Sequence, residues 1–183
     1  MQEKNIEVEI KAFITKEQYE KLLEFFKENA ELVKEDFQET QYFDCNNDVR
    51  IQKNNFGSKI VLKEGIVHDE QREELEVETK KEDFEKLEKI FSSAGLGVEI
   101  KWLRDRKQFL WDKIDVCLDY TKGYGYIIEL EKMSDKNNKD ETLKILKDKL
   151  SELNITLTPR EEFERKFNDY KKNWEILIEN AMD

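Results

Sequence analysis

Glu7-Val8-Glu9-Ile10-Lys11 returns further along the chain as Glu76-Val77-Glu78-Thr79-Lys80. In residues 6–12 the side chains alternate, with Ile6, Val8 and Ile10 on one face and Glu7, Glu9 and Lys11 on the other, which predicts a β-strand. After Ala12 to Ile14 comes Thr15-Lys16-Glu17-Gln18-Tyr19-Glu20-Lys21-Leu22, where Thr15 and Gln18 form a capping box and Tyr19, Leu22, Leu23 and Phe26 make a helical apolar stripe. The second copy leads directly into Lys81-Glu82-Asp83-Phe84-Glu85-Lys86-Leu87. Each half then reads strand, helix, three strands. Two such β-α-β-β-β halves supply eight strands, a number that suits a closed barrel or tunnel.

Working outward, strands are predicted over about 31–45, 48–53, 58–64 and 70–79, separated by turn chemistry at Asn46-Asn47, Asn54-Asn55-Phe56-Gly57 and Gly65. A helix over 81–93 carries Phe84, Leu87 and Phe91 on one face and ends near Gly95 and Gly97. Strands over 98–111, 113–120 and 125–132 follow, joined at Asp112-Lys113 and at Lys122-Gly123-Tyr124-Gly125. The tail, 139–183, reads as two helices. The first has Leu143, Leu146, Leu150 and Leu153 in phase. The second is expected to start with Thr158 as N-cap, Pro159 at N1 and Glu161 at N3, and carries Phe163, Phe167, Tyr170, Trp174 and Leu177. No low-complexity linker divides the chain, so the expectation is one α+β domain spanning 1–183.

With 183 residues the chain can bury a sizeable core, and 11% aromatic residues argue against the disorder that 41% charged residues and a mean hydropathy of −0.86 would otherwise suggest. A formal net charge of −11 makes a general nucleic-acid or anionic-membrane binder a poor expectation. A basic site for an anion would have to be local and enclosed. Cys45 and Cys117 show no metal-type spacing and read as reduced thiols; without a signal peptide or long apolar run, the cytoplasm is the expected location. His68, the one histidine, cannot build a His-based site and reads as a polar turn residue. Trp102, Trp111 and Trp174 could stack a base or fill core and rim positions, and Tyr124 could be a lid or a plain turn residue. The stripe of the last helix suits either a barrel cover in a monomer or a homodimer face.

Both signs of charge recur on single strand faces. Tyr42 sits on the second strand, Arg50 and Gln52 on the third, Lys59 and Lys63 on the fourth, and Arg72, Glu74, Glu76 and Glu78 on the fifth. Arg104 and Arg106 share a face of the sixth, Asp115 and Asp119 of the seventh, Glu129 and Glu131 of the eighth. Arginine and lysine neutralise phosphate oxygens, and carboxylates hold Mg²⁺ or Mn²⁺, so a lumen lined this way suits a triphosphate. The apolar faces would then point outward under amphipathic helices. An ordinary sheet with one solvated face gives the same alternation, and spacing alone leaves the two readings open.

The ordered series resembles the CYTH superfamily of triphosphate tunnel metalloenzymes, which includes class IV adenylyl cyclases, thiamine triphosphatases and inorganic triphosphatases. Glu7-x-Glu9-x-Lys11 is similar to its ExExK signature. Gln41-Tyr42-Phe43-Asp44, Arg50, Leu62-Lys63 with Gly65, Arg72-x-Glu74-x-Glu76-x-Glu78, Arg104-x-Arg106, Leu118-Asp119, Gly123-x-Gly125 and Glu129-x-Glu131 follow in the expected order over residues 6–132. The resemblance implies an eight-stranded antiparallel tunnel with a charged lumen. It implies Glu7, Glu9, Glu78, Asp119, Glu129 and Glu131 as metal ligands, and Lys11, Arg50, Lys63, Arg72, Arg104 and Arg106 as phosphate-binding residues, which Lys59 joins as the neighbour of Lys63 on one strand face. It also implies Lys11 with Tyr42 as a pair that helps activate the attacking group. Gln52, Arg104 and Glu64 depart from the usual pattern, which bears on base or chain-length preference.

The expected activity is metal-dependent processing of inorganic tripolyphosphate or a nucleoside triphosphate. Attack by water gives a triphosphatase; attack by the ribose 3′-hydroxyl on the α-phosphorus gives an adenylyl cyclase. The alternatives are a non-catalytic polyphosphate-binding module and an interaction domain using the acidic exterior.

Overall fold

The protein's structure, a computed structural model, describes residues 6–64, 73–135 and 137–181. The chain forms β1 (Ile6–Ile14), α1 (Lys16–Asn29), β2 (Glu31–Phe43), β3 (Asp48–Lys53), β4 (Ser58–Glu64), β5 (Glu73–Thr79), α2 (Phe84–Ser93, preceded by a 3₁₀ turn at Lys81–Asp83), β6 (Val98–Trp111), β7 (Ile114–Thr121), β8 (Gly125–Ser134), α3 (Lys139–Glu152) and α4 (Arg160–Asn180). Arg72, Gly65 and His68 lie outside the described residues.

All neighbouring strands are antiparallel, in the order β1-β8-β7-β6-β2-β3-β4-β5. Exchanging the two halves, β1 for β5, β2 for β6, β3 for β7 and β4 for β8, reverses this order and leaves it otherwise unchanged. The internal echo is therefore a pseudo-twofold about the β2–β6 pair, which runs from Glu31 opposite Leu110 to Phe43 opposite Val98. Each half lends its first strand to the other: β1 pairs with β8, and β5 with β4. The eight strands curve around a common cavity. Among the described residues the backbone ladder runs from β1 to β5 and does not close between them.

The core lies outside the sheet. Val8, Ile10 and Ala12 of β1 are buried with Val116 and Leu118 of β7 and Ile128 and Leu130 of β8, beneath Leu22 and Phe26 of α1 and Leu146 and Leu150 of α3. A smaller cluster of Phe43, Ile51 and Phe84, flanked by Leu87, Phe91 and Leu96, seals the outer face of β2 and β3 under α2. Each such fully buried Leu or Phe contributes about 1.5–3 kcal/mol, so it is helix cover that turns the charged strand faces inward. Leu75 and Val77 of β5 are left exposed, on a side that no helix among the described residues covers.

Local chemistry sets the joints. Thr15 Oγ1 accepts from Gln18 N–H, and Gln18 Oε1 accepts from Thr15 N–H, the capping box expected. Asp112 and Lys113 both take positive φ (51° and 63°), the twist that a two-residue hairpin between β6 and β7 requires. The N-terminus of α4 differs from expectation. The helix starts at Arg160, and Thr158 does not cap it. Thr158 Oγ1 instead accepts from Phe13 N–H at 2.8 Å, tying the start of α4 to β1. Along its length α4 is docked by the Tyr170 hydroxyl, which donates to the Lys101 and Lys122 carbonyls (2.9 and 3.2 Å).

Candidate functional site

The inward faces of all eight strands and two rings of α4, Phe163 and Phe167, enclose a cavity of about 310 Å³. Parity accounts for its lining. Residues two apart on a strand share a face, so Glu7, Glu9 and Lys11 of β1, Arg104 and Arg106 of β6, and Glu129 and Glu131 of β8 all point in together. Tyr42, Arg50, Lys59, Lys63 and Asp119 also line it. Of the predicted site residues, Arg72 falls outside the described residues. Glu78 shares a face with Glu76 and both are exposed, but of the two Glu76 alone lines the cavity, paired with Lys59.

The middle of the cavity is a network of fixed charges. Arg106 forks onto Asp119 (2.8 and 2.7 Å) and reaches Glu129 at 3.3 Å. Arg104 contacts Asp119 at 3.3 Å and donates twice to Gln38 Oε1. Lys11 donates to Glu9 at 2.9 Å and lies 3.6 Å from Glu129. Arg50 forks onto Asp48 (2.6 and 2.5 Å), and its guanidinium lies 4.4 Å from the centre of the Tyr42 ring. Burial alone would raise the Glu129 carboxyl, but Lys11, Arg106, Arg104 and Lys63 outweigh it and hold the group down at about 2. Burial opposes charge on Lys11 as well, and Glu129 and Glu9 overcome it, holding its ammonium above the usual range. These groups therefore stay ionised at neutral pH.

Toward the start of β1 the balance turns acidic. Carboxylate oxygens of Glu7, Glu9 and Glu131 lie within 4.8 Å of one another. Burial, then Glu7, Glu129 and Glu9, push the Glu131 carboxyl up to about 8, the signature of acids held together against their mutual repulsion. Toward α4 the lining becomes aromatic, with Trp102, Tyr124 and Phe167 joining Tyr42.

Charge-based reading of the sequence missed Gln38, Thr40, Thr121 and the α4 rings. Gln38 and Thr40 stand two and four residues before Tyr42, so the parity of β2 was the available signal. Nothing local marks Phe163 and Phe167, whose stripe fits an ordinary covering helix. Trp111 belongs to the covered core, and burial pushes the Cys117 thiol up to about 12.

The profile of the CYTH domain matches residues 5–170. A protein of Methanocaldococcus jannaschii named "Putative adenylate cyclase MJ0240" is 30% identical over 161 residues, covering 82% of this chain and 91% of that protein. Among solved structures, a protein of Pyrococcus furiosus described as a conserved hypothetical protein superposes with a TM-score of 0.69 at 25% identity, covering 84% of this chain and 96% of the other. The PH1012 protein of Pyrococcus horikoshii OT3 gives 0.71 at 23%, covering 82% and 91%. A Hippeastrum adenylyl cyclase homologue, described as having a dominant triphosphatase activity, shares the fold at 0.62 and 16%, covering 82% and 88%.

Proposed function

The chain belongs to the CYTH domain family, and on that premise we propose that it is a divalent-metal-dependent enzyme that binds a triphosphate in the cavity and breaks one of its phosphoanhydride bonds. The observation that carries this reading is the meeting, in one enclosure, of Lys11, Arg50, Lys59, Lys63, Arg104 and Arg106 with the carboxylate cluster of Glu7, Glu9 and Glu131. A pure anion binder gains nothing from acids beside its ligand unless a cation joins them.

The donor set fits Mg²⁺ or Mn²⁺, since three converging carboxylates are hard oxygen ligands and their repulsion supports a bound cation. Such an ion supplies Lewis-acid polarisation of phosphate oxygens. The chain's own residues do the rest. Arg104 and Arg106 are positioned by their bonds to Gln38 and Asp119, and the N–H groups those bonds leave over supply donors and positive charge for phosphate oxygens. Lys11 stays protonated and donates toward the same space. Arg50, fixed against Tyr42, adds positive charge from β3.

The attacking group decides the product. Water attacking a terminal phosphorus releases orthophosphate. A ribose 3′-hydroxyl attacking the α-phosphorus releases pyrophosphate and a cyclic nucleotide, the activity in the name of the Methanocaldococcus relative. The test is product analysis with tripolyphosphate and with ATP, in Mg²⁺ or Mn²⁺, against Glu9→Gln. Metal-dependent turnover that Glu9→Gln abolishes is the expected result. Turnover that survives both EDTA and Glu9→Gln would overturn the metal role.

A further inference from the structure

Arg104 and Arg106 stand two apart on β6 and line the same cavity, yet their guanidinium groups meet different partners. Arg106 turns Nε and Nη2 to the Asp119 carboxylate, and Nη2 also reaches Glu129 at 3.3 Å. Arg104 turns the same two nitrogens to an amide oxygen, Gln38 Oε1, at 3.0 and 2.5 Å. Its Nη1 lies 3.3 Å from Asp119. Two carboxylates therefore answer the charge of Arg106. Arg104 has a share of one, and its nearest acceptor is neutral. A neutral acceptor orients a guanidinium without cancelling its charge.

Gln38 lies directly opposite Arg104 in the β2–β6 pair. An amide can present either its oxygen or its NH₂ to such a neighbour. In Gln38 the choice is made at the other end of the amide. Asp36, two residues earlier on the same face of β2 and 5% exposed, accepts from Gln38 Nε2 at 3.2 Å. Asp36 is held in turn by the Asn55 backbone N–H at 2.9 Å and the Lys34 ammonium at 3.1 Å. With its NH₂ on a carboxylate, the Gln38 amide turns its oxygen to Arg104, and Gln52 Nε2 adds a third donor at 3.1 Å. The reverse orientation would set oxygen against carboxylate and NH₂ against three donors.

We propose that Gln38, its amide set by Asp36, is a positioning residue that keeps Arg104 aimed into the cavity with its charge uncompensated. Arg104 then offers a triphosphate the positive charge that the more heavily paired Arg106 spends within the wall. This rests on the triphosphate reading above and assigns a role within it. Without the Gln38 oxygen, Arg104 has a ready alternative in Asp119, already 3.3 Å from its Nη1. Closing onto that carboxylate would draw the guanidinium toward β7 and neutralise it.

The test is calorimetric titration of the purified protein with tripolyphosphate and with ATP in Mg²⁺. Wild type, Gln38→Met and Asp36→Asn are compared, each also in an Arg104→Gln background. Gln38→Met keeps the side-chain length and removes the acceptor. Asp36→Asn keeps an oxygen for the Asn55 N–H and offers Gln38 an NH₂, which turns the Gln38 amide around. Each should weaken binding about tenfold, the scale of one hydrogen bond to a charged group. Each should change it less than about twofold once Arg104 is replaced, because the two sites act through one interaction. Equal losses in both backgrounds, or no loss with Arg104 present, refute the positioning role while the triphosphate reading stands. A loss in only one of the two variants refutes the relay from Asp36 to Gln38. Melting temperatures show which variants are folded, and if Gln38→Met is not, Asp36→Asn decides by the same comparison. Failure of both ligands to bind the wild type overturns the triphosphate reading and the proposal with it.

Discussion

Arg106 grips Asp119 across the β6–β7 ladder by two parallel bonds, Nε to Oδ1 at 2.8 Å and Nη2 to Oδ2 at 2.7 Å. Asp119 is only 2% exposed, while the Arg106 side chain keeps part of its surface open to the cavity. Arg106→Ala strands that carboxylate and deprives Glu129 of a counter-charge. Denaturant unfolding should show a loss of about 3 kcal/mol, alongside weakened triphosphate binding. A variant that unfolds at the same denaturant concentration would show that the fork contributes nothing to stability.

Glu131 gives the stability of the metal-free protein a pH dependence. Its carboxyl is pushed up to about 8 by burial, Glu7, Glu129 and Glu9, against an ordinary 4.5. Between these values the folded chain keeps a proton that the unfolded chain has released. Stability from this group is therefore intact at the acid end of the window and declines as pH rises through it. In EDTA, melting temperatures of wild type should fall relative to Glu131→Gln from pH 4.5 to 8. Parallel curves would refute the assignment.

Gly123 sits at φ 71°, and a Cβ there would lie 2.6 Å from Leu177 Cβ and 2.7 Å from the Leu177 carbonyl oxygen. Gly123→Ala should therefore push α4 off the β7–β8 turn, costing about 1–3 kcal/mol and disturbing the near-ultraviolet signal of the packed aromatic rings. An unchanged melt and spectrum would mean that α4 is not held at this turn.

Tyr170→Phe removes one hydroxyl and leaves the Lys101 and Lys122 carbonyls to find other partners. A loss of about 1 kcal/mol is expected, with the metal-dependent activity of the remaining folded protein retained, because the hydroxyl faces backbone rather than the cavity lining. A loss of activity at full stability would place Tyr170 in the site instead.

The periodicity of β1 and its echo at β5 identified the strands, and the ordered charges identified most of the lining. Parity says which residues share a face but not whether the face curves inward. Glu9 and Arg106 read equally well as solvated until α1, α2 and α3 were seen covering the opposite side. Parity also cannot say how far along a strand the enclosure reaches, which is why Glu76 lines it and Glu78 does not. Thr15 and Thr158 show the same limit for caps. Both have the right local chemistry, but Thr158's hydroxyl is taken by the Phe13 amide, a partner far away in the chain. The aromatic end was least legible, because it is assembled from β2, β6, the β7–β8 turn and α4, each with an unremarkable ring.

The exchange of first strands between the halves has a consequence for how the protein is made. β2, β3 and β4 form a local meander that can pair as soon as it leaves the ribosome. β1, made before them, has no neighbour in the sheet until β8 exists, since Ile6 waits for Ser134 and Ile14 for Tyr126. Contacts so distant in sequence close slowly. Through most of synthesis the strand carrying Glu7, Glu9 and Lys11 is thus an unpaired edge with Val8 and Ile10 uncovered, a natural client for a chaperone. The acidic end of the cavity is completed late, so a chain cut short before β8 lacks the Glu131 arm of its carboxylate cluster.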